Sequence, residues 1–557
     1  MSKNSGVKTS SGTRPDLELD VAIIGAGVSG LYTGWRLLTG KFKPKGLPGA
    51  RADSNVKPRV NVFELSDRIG GRLETIFFEG LSDVPAEFGG MRYTDQHVLV
   101  SSLVKELGLT STNFPMGNQN NLWLLRGERL KEEDFSNPKK VPYDLRPSEK
   151  GKSPDQLIKF VLDSVLAENG IKKLPSGRQE WDEIKKTLKH RKEHIFKFGW
   201  WNLITDYLSS EAYQLITDGG GYYTSTMNWG AGEAMEFLAL DFIPQPTYVT
   251  LKEGYDGIPI KLAQRFTDAG GEIWTRNGLV TFDHTEKRER GKPRLKLTIQ
   301  NHASGKKWNV YAHNIVLALP QRSLELLQLS ETFFDLDAEA NQELNSLVYS
   351  VSPQPALKLF MGYEQAWWKA KPLDLSSGRS ITDMPIRQIY YFGTETESER
   401  SLLMTSYDDG RAVQVWEGLG LTEKEKKKAR RYPARGEGGA GDVYAAPQRM
   451  IEFAHNQLRL VHGVPIPQPY VAAYKDWNED PYGGGWHLWN TQVKVWRVMP
   501  RIRQPLKDEN VYICGEAYSG LQGWVEGALT MTELMMQKQL NMESPNEWLP
   551  KSYYLGY

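Results

Sequence analysis

A chain of 557 residues exceeds one ordinary compact core and implies roughly two to four folding units. Hydrophobic and charged contents of 39% and 25%, with no stretch near the roughly 20 apolar residues of a membrane helix, read as a soluble globular protein without a membrane partner. A formal net charge of +1 gives no long-range field for nucleic acid, and the single cysteine, Cys514, excludes an intramolecular disulfide and any cysteine-rich metal site, so no metal is expected.

Residues 1–15 are polar, Ser/Gly-rich and lysine-bearing, without the apolar core of a secretory signal, and read as a disordered leader of a cytoplasmic protein. Residues 19–24 then predict a buried strand, followed by the turn Gly25-Ala26-Gly27-Val28-Ser29-Gly30 and a helix over 28–38. A stretch rich in Gly, Pro, Lys and Asn, 39–58, delays the second strand, 60–64, of this βαβ unit. Gly25 permits the tight turn, Gly27 lets backbone approach a pyrophosphate, and Gly30 lets the helix pack on the sheet. Val28 and Ser29 stand at the helix N-terminus, whose free N–H groups stabilise phosphate. Glu64, ending the second strand, is placed to accept from a ribose 2′-hydroxyl. Gly70-Gly71-Arg72 follows at once; Gly70 and Gly71 allow a second close backbone approach, and Arg72 offers phosphate a planar donor fork. Such extra contacts suit FAD better than NAD.

Apolar residues at three- and four-residue spacing make 153–240 a helical insertion. Strands return at 271–275, 294–300, 308–319, 356–361, 387–392 and 511–514. The cationic run 423–435 predicts a solvated surface helix leading into a loop.

Four blocks, 21–30, 64–72, Glu87-Phe88-Gly89-Gly90-Met91-Arg92, and Cys514-Gly515-Glu516 through Gly523-Trp524-Val525-Glu526-Gly527-Ala528, resemble the flavin amine oxidase superfamily, in its L-amino-acid oxidase and tryptophan 2-monooxygenase branch. The resemblance implies an α/β with α+β fold of the amine oxidase and p-hydroxybenzoate hydroxylase kind. A Rossmann-like FAD-binding domain (16–84, 252–343 and 497–540) would join a mixed-sheet substrate-binding domain (85–145, 241–251 and 344–496) and a helical domain (146–240). It also implies cofactor contacts from Gly90, Met91, Arg92, Val280, Trp477, Gly515, Glu516, Trp524 and Val525. The FAD is expected to be noncovalent, because Ala517-Tyr518-Ser519-Gly520 stands where monoamine oxidases carry the attaching cysteine.

By the same resemblance Arg92 binds a substrate carboxylate, Tyr390 adds a hydroxyl donor to it, and Lys358 holds a water that assists reaction with oxygen. Gly523 and Trp524 line the flavin face, Trp486 is a second aromatic wall, and Tyr223 of Gly221-Tyr222-Tyr223 faces the substrate side chain. Asp218, Glu233, Glu236 and Asp241 either face a cationic substrate or lie exposed on helices; exposure is the commoner case. The implied activity is oxidation of an L-amino acid by oxygen in a homo-oligomer, a dimer by family habit. Decarboxylation to the amide and oxidation of a simple amine or polyamine stay open, and a non-catalytic FAD-binding protein is disfavoured.

Overall fold

Leu17–Ile24 is buried on both faces at its inner end, as a central strand covered by helices must be. In the computed structural model, which describes residues 7–8, 17–43, 45–49, 57–242, 246–286, 291–436 and 439–557, this strand lies inside an eight-stranded sheet. Val60–Phe63 and Lys307–Leu317 flank it in parallel, Val21 standing opposite Val60 on one side and Asn314 on the other. Lys307–Leu317 also pairs in parallel with Val511–Ile513 and antiparallel with Leu295–Asn301. Residues separated by hundreds of positions thereby share one sheet.

The helices Val28–Thr39 and Val525–Lys538 are tied together beside it. Arg36 and Glu533 form a buried ion pair of 3.1 Å, and the Tyr32 hydroxyl donates to the same carboxylate at 2.7 Å. Within the expected leader, Val7–Lys8 is not disordered but pairs in parallel with Glu272–Trp274 at the sheet edge, where an unpaired strand offers it backbone partners. The rest of that leader lies outside the described residues.

The second sheet has nine strands. Its centre is Ala356–Tyr363, buried throughout, between Ser401–Asp409 and Val471–Asp476; Gln388–Thr394 and Arg379–Thr382 continue it, and Trp123–Leu125 joins in parallel. The helical insertion includes Pro154–Glu168, Arg178–Ile184, Trp200–Tyr207, Ser210–Gly219 and Ala231–Phe242 around its own apolar core.

One predicted element fails. Residues 423–435 form a helix only over Glu423–Lys426, and Arg431–Tyr432 turns into a strand against Val443–Ala445. Like charges along the run repel, and Pro433 cannot continue a helix. Among the described residues no helix is long and apolar enough to cross a membrane, and no cluster of His, Cys, Asp and Glu is arranged to hold a metal ion.

Candidate active site

The two glycine turns clasp each other. The Gly70 N–H donates to the Ala26 carbonyl at 2.9 Å, and a Cβ at Gly71 would stand 3.2 Å from the Gly27 Cα. Gly25, Gly70 and Gly71 have φ of +102°, +105° and +58°, which glycine adopts without strain. Glu64 accepts from the Ala26 and Ser66 N–H groups at 2.8 Å each, which holds its carboxylate at the turn.

Gly25, Gly27, Glu64, Gly70 and Gly71 line a cavity of about 360 Å³. Val28, Ser29, Arg72, Gly90, Val280, Gly515, Glu516, Trp524 and Val525 line it too. Gly515, at φ +131°, has nothing within 4 Å of the place a Cβ would take, so its backbone borders open space. A glycine-edged cradle at a helix N-terminus fits an extended dinucleotide. Gly30 serves by packing: a Cβ there would lie 1.9 Å from the Gly25 carbonyl oxygen. Gly30→Ala is therefore expected to lower stability by about 1–3 kcal/mol or more, read as a lower thermal midpoint together with weaker FAD retention.

Glu516 closes the cradle. It accepts from Arg72 Nη1 at 2.6 Å, from His487 Nδ1 at 2.9 Å, and from the backbone N–H groups of His487 and Gly523 at 3.0 and 2.7 Å. Burial opposes its ionisation, but Arg72 and His487 overcome that and hold the carboxyl down at about 2.

A second cavity, about 100 Å³, shares Gly90, Gly523, Trp524 and Val525 with the first. Met91, Arg92, Lys358 and Trp486 belong to it alone. Arg92 is only 7% exposed, and its guanidinium reaches the hydroxyls of Tyr390 and Tyr222 at 3.4 Å. Its Nε has no hydrogen-bond partner, and among the described residues no carboxylate lies within ion-pairing distance. Lys358 is 2% exposed and donates to the carbonyls of Glu87 and Gly89 at 2.9 and 2.5 Å. Burial pulls its ammonium down to about 7; Glu87 opposes that shift and Arg92 adds to it. Tyr222, Tyr407 and Trp486 meet edge to face at centroid distances of 5.4 to 6.5 Å. Trp524, between the cavities, donates its indole N–H to Asp241 at 2.6 Å.

Four expectations change. Tyr223 does not face the cavity: its ring lies beneath the Arg387 and Arg411 guanidinium groups at 4.3 and 4.8 Å, and Tyr222 lines the site instead. The one-turn helix starting at Tyr223 sends the two neighbours in different directions. Trp477 lines neither cavity; it donates to the Phe88 carbonyl and packs on Tyr482, which does line the first. Glu233, Glu236 and Asp241 are buried rather than exposed, because Lys185 from the facing helical segment pairs with both glutamates and the Trp524 indole meets Asp241. Asp218 accepts from the Tyr143 hydroxyl at 2.8 Å.

Tyr390, expected in the substrate pocket, lines neither cavity: it is buried behind Arg92 with its hydroxyl towards that guanidinium, while Tyr391 turns to the opposite face and bonds Ser380 and His462. Tyr222, Tyr248 and Tyr407 line the second cavity although the sequence does not single them out for it, and Arg379 stands behind Tyr390. Register explains Tyr407 and Arg379: Lys358 stands opposite Tyr407, Tyr407 opposite Gln388, and Tyr390 opposite Arg379.

A glycine-edged cradle shares a wall with a small, aromatic, cation-bearing cavity, an arrangement that suits a dinucleotide-dependent enzyme. Residues 28–432 match the family described as flavin containing amine oxidoreductase, and the chain belongs to that family. It is thus a flavin-dependent enzyme, and its fold class is the one expected.

The chain is 25% identical to Aplysianin-A of Aplysia kurodai, covering 94% of this chain and 90% of that protein. It is 24% identical to Achacin of Lissachatina fulica, covering 93% of each, and 22% identical to an L-amino-acid oxidase of Sistrurus catenatus edwardsii, covering 94% and 87%. A solved putrescine oxidase bound to putrescine superposes with a TM-score of 0.61 at 17% identity, covering 93% of this chain and 98% of that one.

Proposed function

We propose that the protein is an L-amino-acid oxidase with noncovalently held FAD, converting an L-amino acid, oxygen and water to a 2-oxo acid, ammonia and hydrogen peroxide. The observation that carries this reading is Arg92, a buried guanidinium beside the shared wall with no carboxylate within ion-pairing distance among the described residues. An uncompensated buried cation calls for an anionic ligand, and a carboxylate meets the guanidinium fork with two parallel hydrogen bonds. The L-amino-acid oxidase among the relatives supports the same substrate class.

When bound, the flavin supplies the acceptor for the hydride that leaves the substrate Cα. Arg92, steadied from behind by the Tyr390 hydroxyl, fixes the carboxylate, which sets where the Cα lies against the shared wall. Trp524, Trp486, Tyr222 and Tyr407 keep bulk water from the reacting carbon. Lys358, poised at about 7, takes up or releases a proton at Nζ near neutral pH. The noncovalent state is supported by Cys514, the chain's one cysteine, which is fully buried in the core with its thiol pushed up to about 12 by burial.

Anaerobic mixing of the FAD-loaded protein with a panel of L-amino acids is expected to bleach the flavin absorbance. No bleaching by any of them, with putrescine or another simple amine active, would overturn the reading. Amide in place of 2-oxo acid among the aerobic products would assign a monooxygenase.

A further inference from the structure

Behind Tyr390 stands a second buried guanidinium. Arg379 is 8% exposed, and its Nη1 donates to Gln388 Oε1 at 2.8 Å and reaches the Tyr390 hydroxyl at 3.4 Å. Like Tyr390 it lines neither cavity, so it acts on a ligand at Arg92 only through its neighbours. Like Arg92, it has no carboxylate within ion-pairing distance among the described residues; Asp155 acts on it only from farther away. One phenol therefore sits between two guanidinium groups, its proton directed at the Gln388 carbonyl, 3.1 Å away.

We infer that Arg379 is a positioning residue that sets the direction and the charge of the Tyr390 hydroxyl, and through it the pH range over which the site holds a carboxylate. The inference rests on the amino-acid oxidase reading of Arg92. Strand register places the group: Arg379 is the cross-strand partner of Tyr390, and Gln388, two residues away on the same face, fixes the fork of the guanidinium.

The groups facing Tyr390 are Arg92, Arg379, Tyr222, Tyr248 and Tyr407, with Lys358 over the far side of the Tyr407 ring at 4.6 Å. Burial works against a phenolate there, yet Arg92 and Arg379 hold the hydroxyl down at about 8. Below that value Tyr390 is neutral, keeps its proton on Gln388 and leaves the Arg92 charge free for a bound carboxylate. Above it the phenolate competes for Arg92 and repels the ligand. Carboxylate binding is therefore strong at neutral pH and is lost as the pH rises.

The test uses FAD-loaded enzyme and benzoate, a carboxylate without an amine, titrated by flavin absorbance from about pH 6 to about pH 10. In the wild type the benzoate Kd is expected to rise about tenfold per pH unit above the Tyr390 ionisation. The KM for an L-amino acid should follow it, with kcat little changed. Tyr390→Phe should remove the rise, Arg379→Gln should move it up by about one unit or more, and Arg379→Lys should keep it while weakening binding. An unchanged profile in Arg379→Gln, or no rise in the wild type, overturns the inference. Should Arg379→Gln fail to fold, the tyrosinate difference spectrum of wild type against Tyr390→Phe decides: a Tyr390 that ionises in the ordinary range near 10 overturns it. Failure of the underlying reading shows separately, as a wild type that neither binds benzoate nor turns over any L-amino acid.

Discussion

Arg92→Ala is expected to raise the KM for an L-amino acid by roughly 100-fold or more, while the KM for a simple amine lacking a carboxylate stays where it was. Two charge-assisted hydrogen bonds to the substrate would be lost, at about 1.5–3 kcal/mol each before solvent offsets. A net loss of about 3 kcal/mol corresponds to roughly 150-fold. The stability of the free enzyme should change much less. Its Arg92 is a buried cation without an ion-pairing carboxylate among the described residues, so removing it relieves a desolvation cost. That gain is opposed by the loss of its contacts over the rings of Tyr248, Phe114 and Tyr390 at 4.9, 5.4 and 5.7 Å. Arg92→Lys should rescue KM poorly, because an ammonium cannot reproduce the planar fork. Steady-state kinetics with an amino acid and with its decarboxylated amine, together with thermal unfolding, check this; an unchanged amino-acid KM in Arg92→Ala would remove the carboxylate role.

Glu516→Ala should yield a protein that loses its FAD on gel filtration and unfolds at a lower temperature. Glu516 neutralises Arg72 and satisfies two backbone N–H groups, all at the edge of the cradle. Taking one partner from a buried pair costs about 3–5 kcal/mol, and the Arg72 side chain, 21% exposed, is too buried for water to recover most of that. Glu516→Gln should be milder, since the amide oxygen can still accept from Gly523 but carries no charge. The pH dependence has a definite sign. The folded-state carboxyl sits below its unfolded value, so its stabilisation is fully present above the usual carboxylate range and is lost as the pH falls towards about 2. Acid unfolding should therefore come at higher pH in the wild type than a protein keeping Glu516 ionised would show, and the variant should lack this component. Retention of stoichiometric FAD by Glu516→Ala would remove Glu516 from the cofactor site.

Much of the site is legible in one dimension because its demands are local. A left-handed backbone at Gly25, Gly70 and Gly71 and the near contact at Gly30 can be met only by glycine, so the letters themselves mark the turns. Lys358 is conspicuous as a charge within an apolar strand, and it does sit in the second cavity. The helix over Val28–Thr39 and the strand over Lys307–Leu317 follow from their periodicity to within a few residues. The cationic run at 423–435 misleads for the opposite reason: composition there favours helix, but repulsion and Pro433 end it, and a neighbouring strand takes up the remainder.

By itself, then, the sequence determined the dinucleotide turn, the alternation of sheet and helical units, and Lys358, a charge conspicuous in an apolar strand, while Arg92 and Glu516 were marked by the family resemblance of the motifs that hold them. Only the tertiary structure decided that Tyr222 rather than Tyr223 enters the cavity, that Trp477 stands behind its wall, and that Arg379 and Tyr407 belong with the site. The physical reason is register. A side chain's direction in a single turn, or its neighbour across a sheet, depends on hydrogen-bonded partners far away in the chain, and a slip of one residue would send each of these groups to the opposite face.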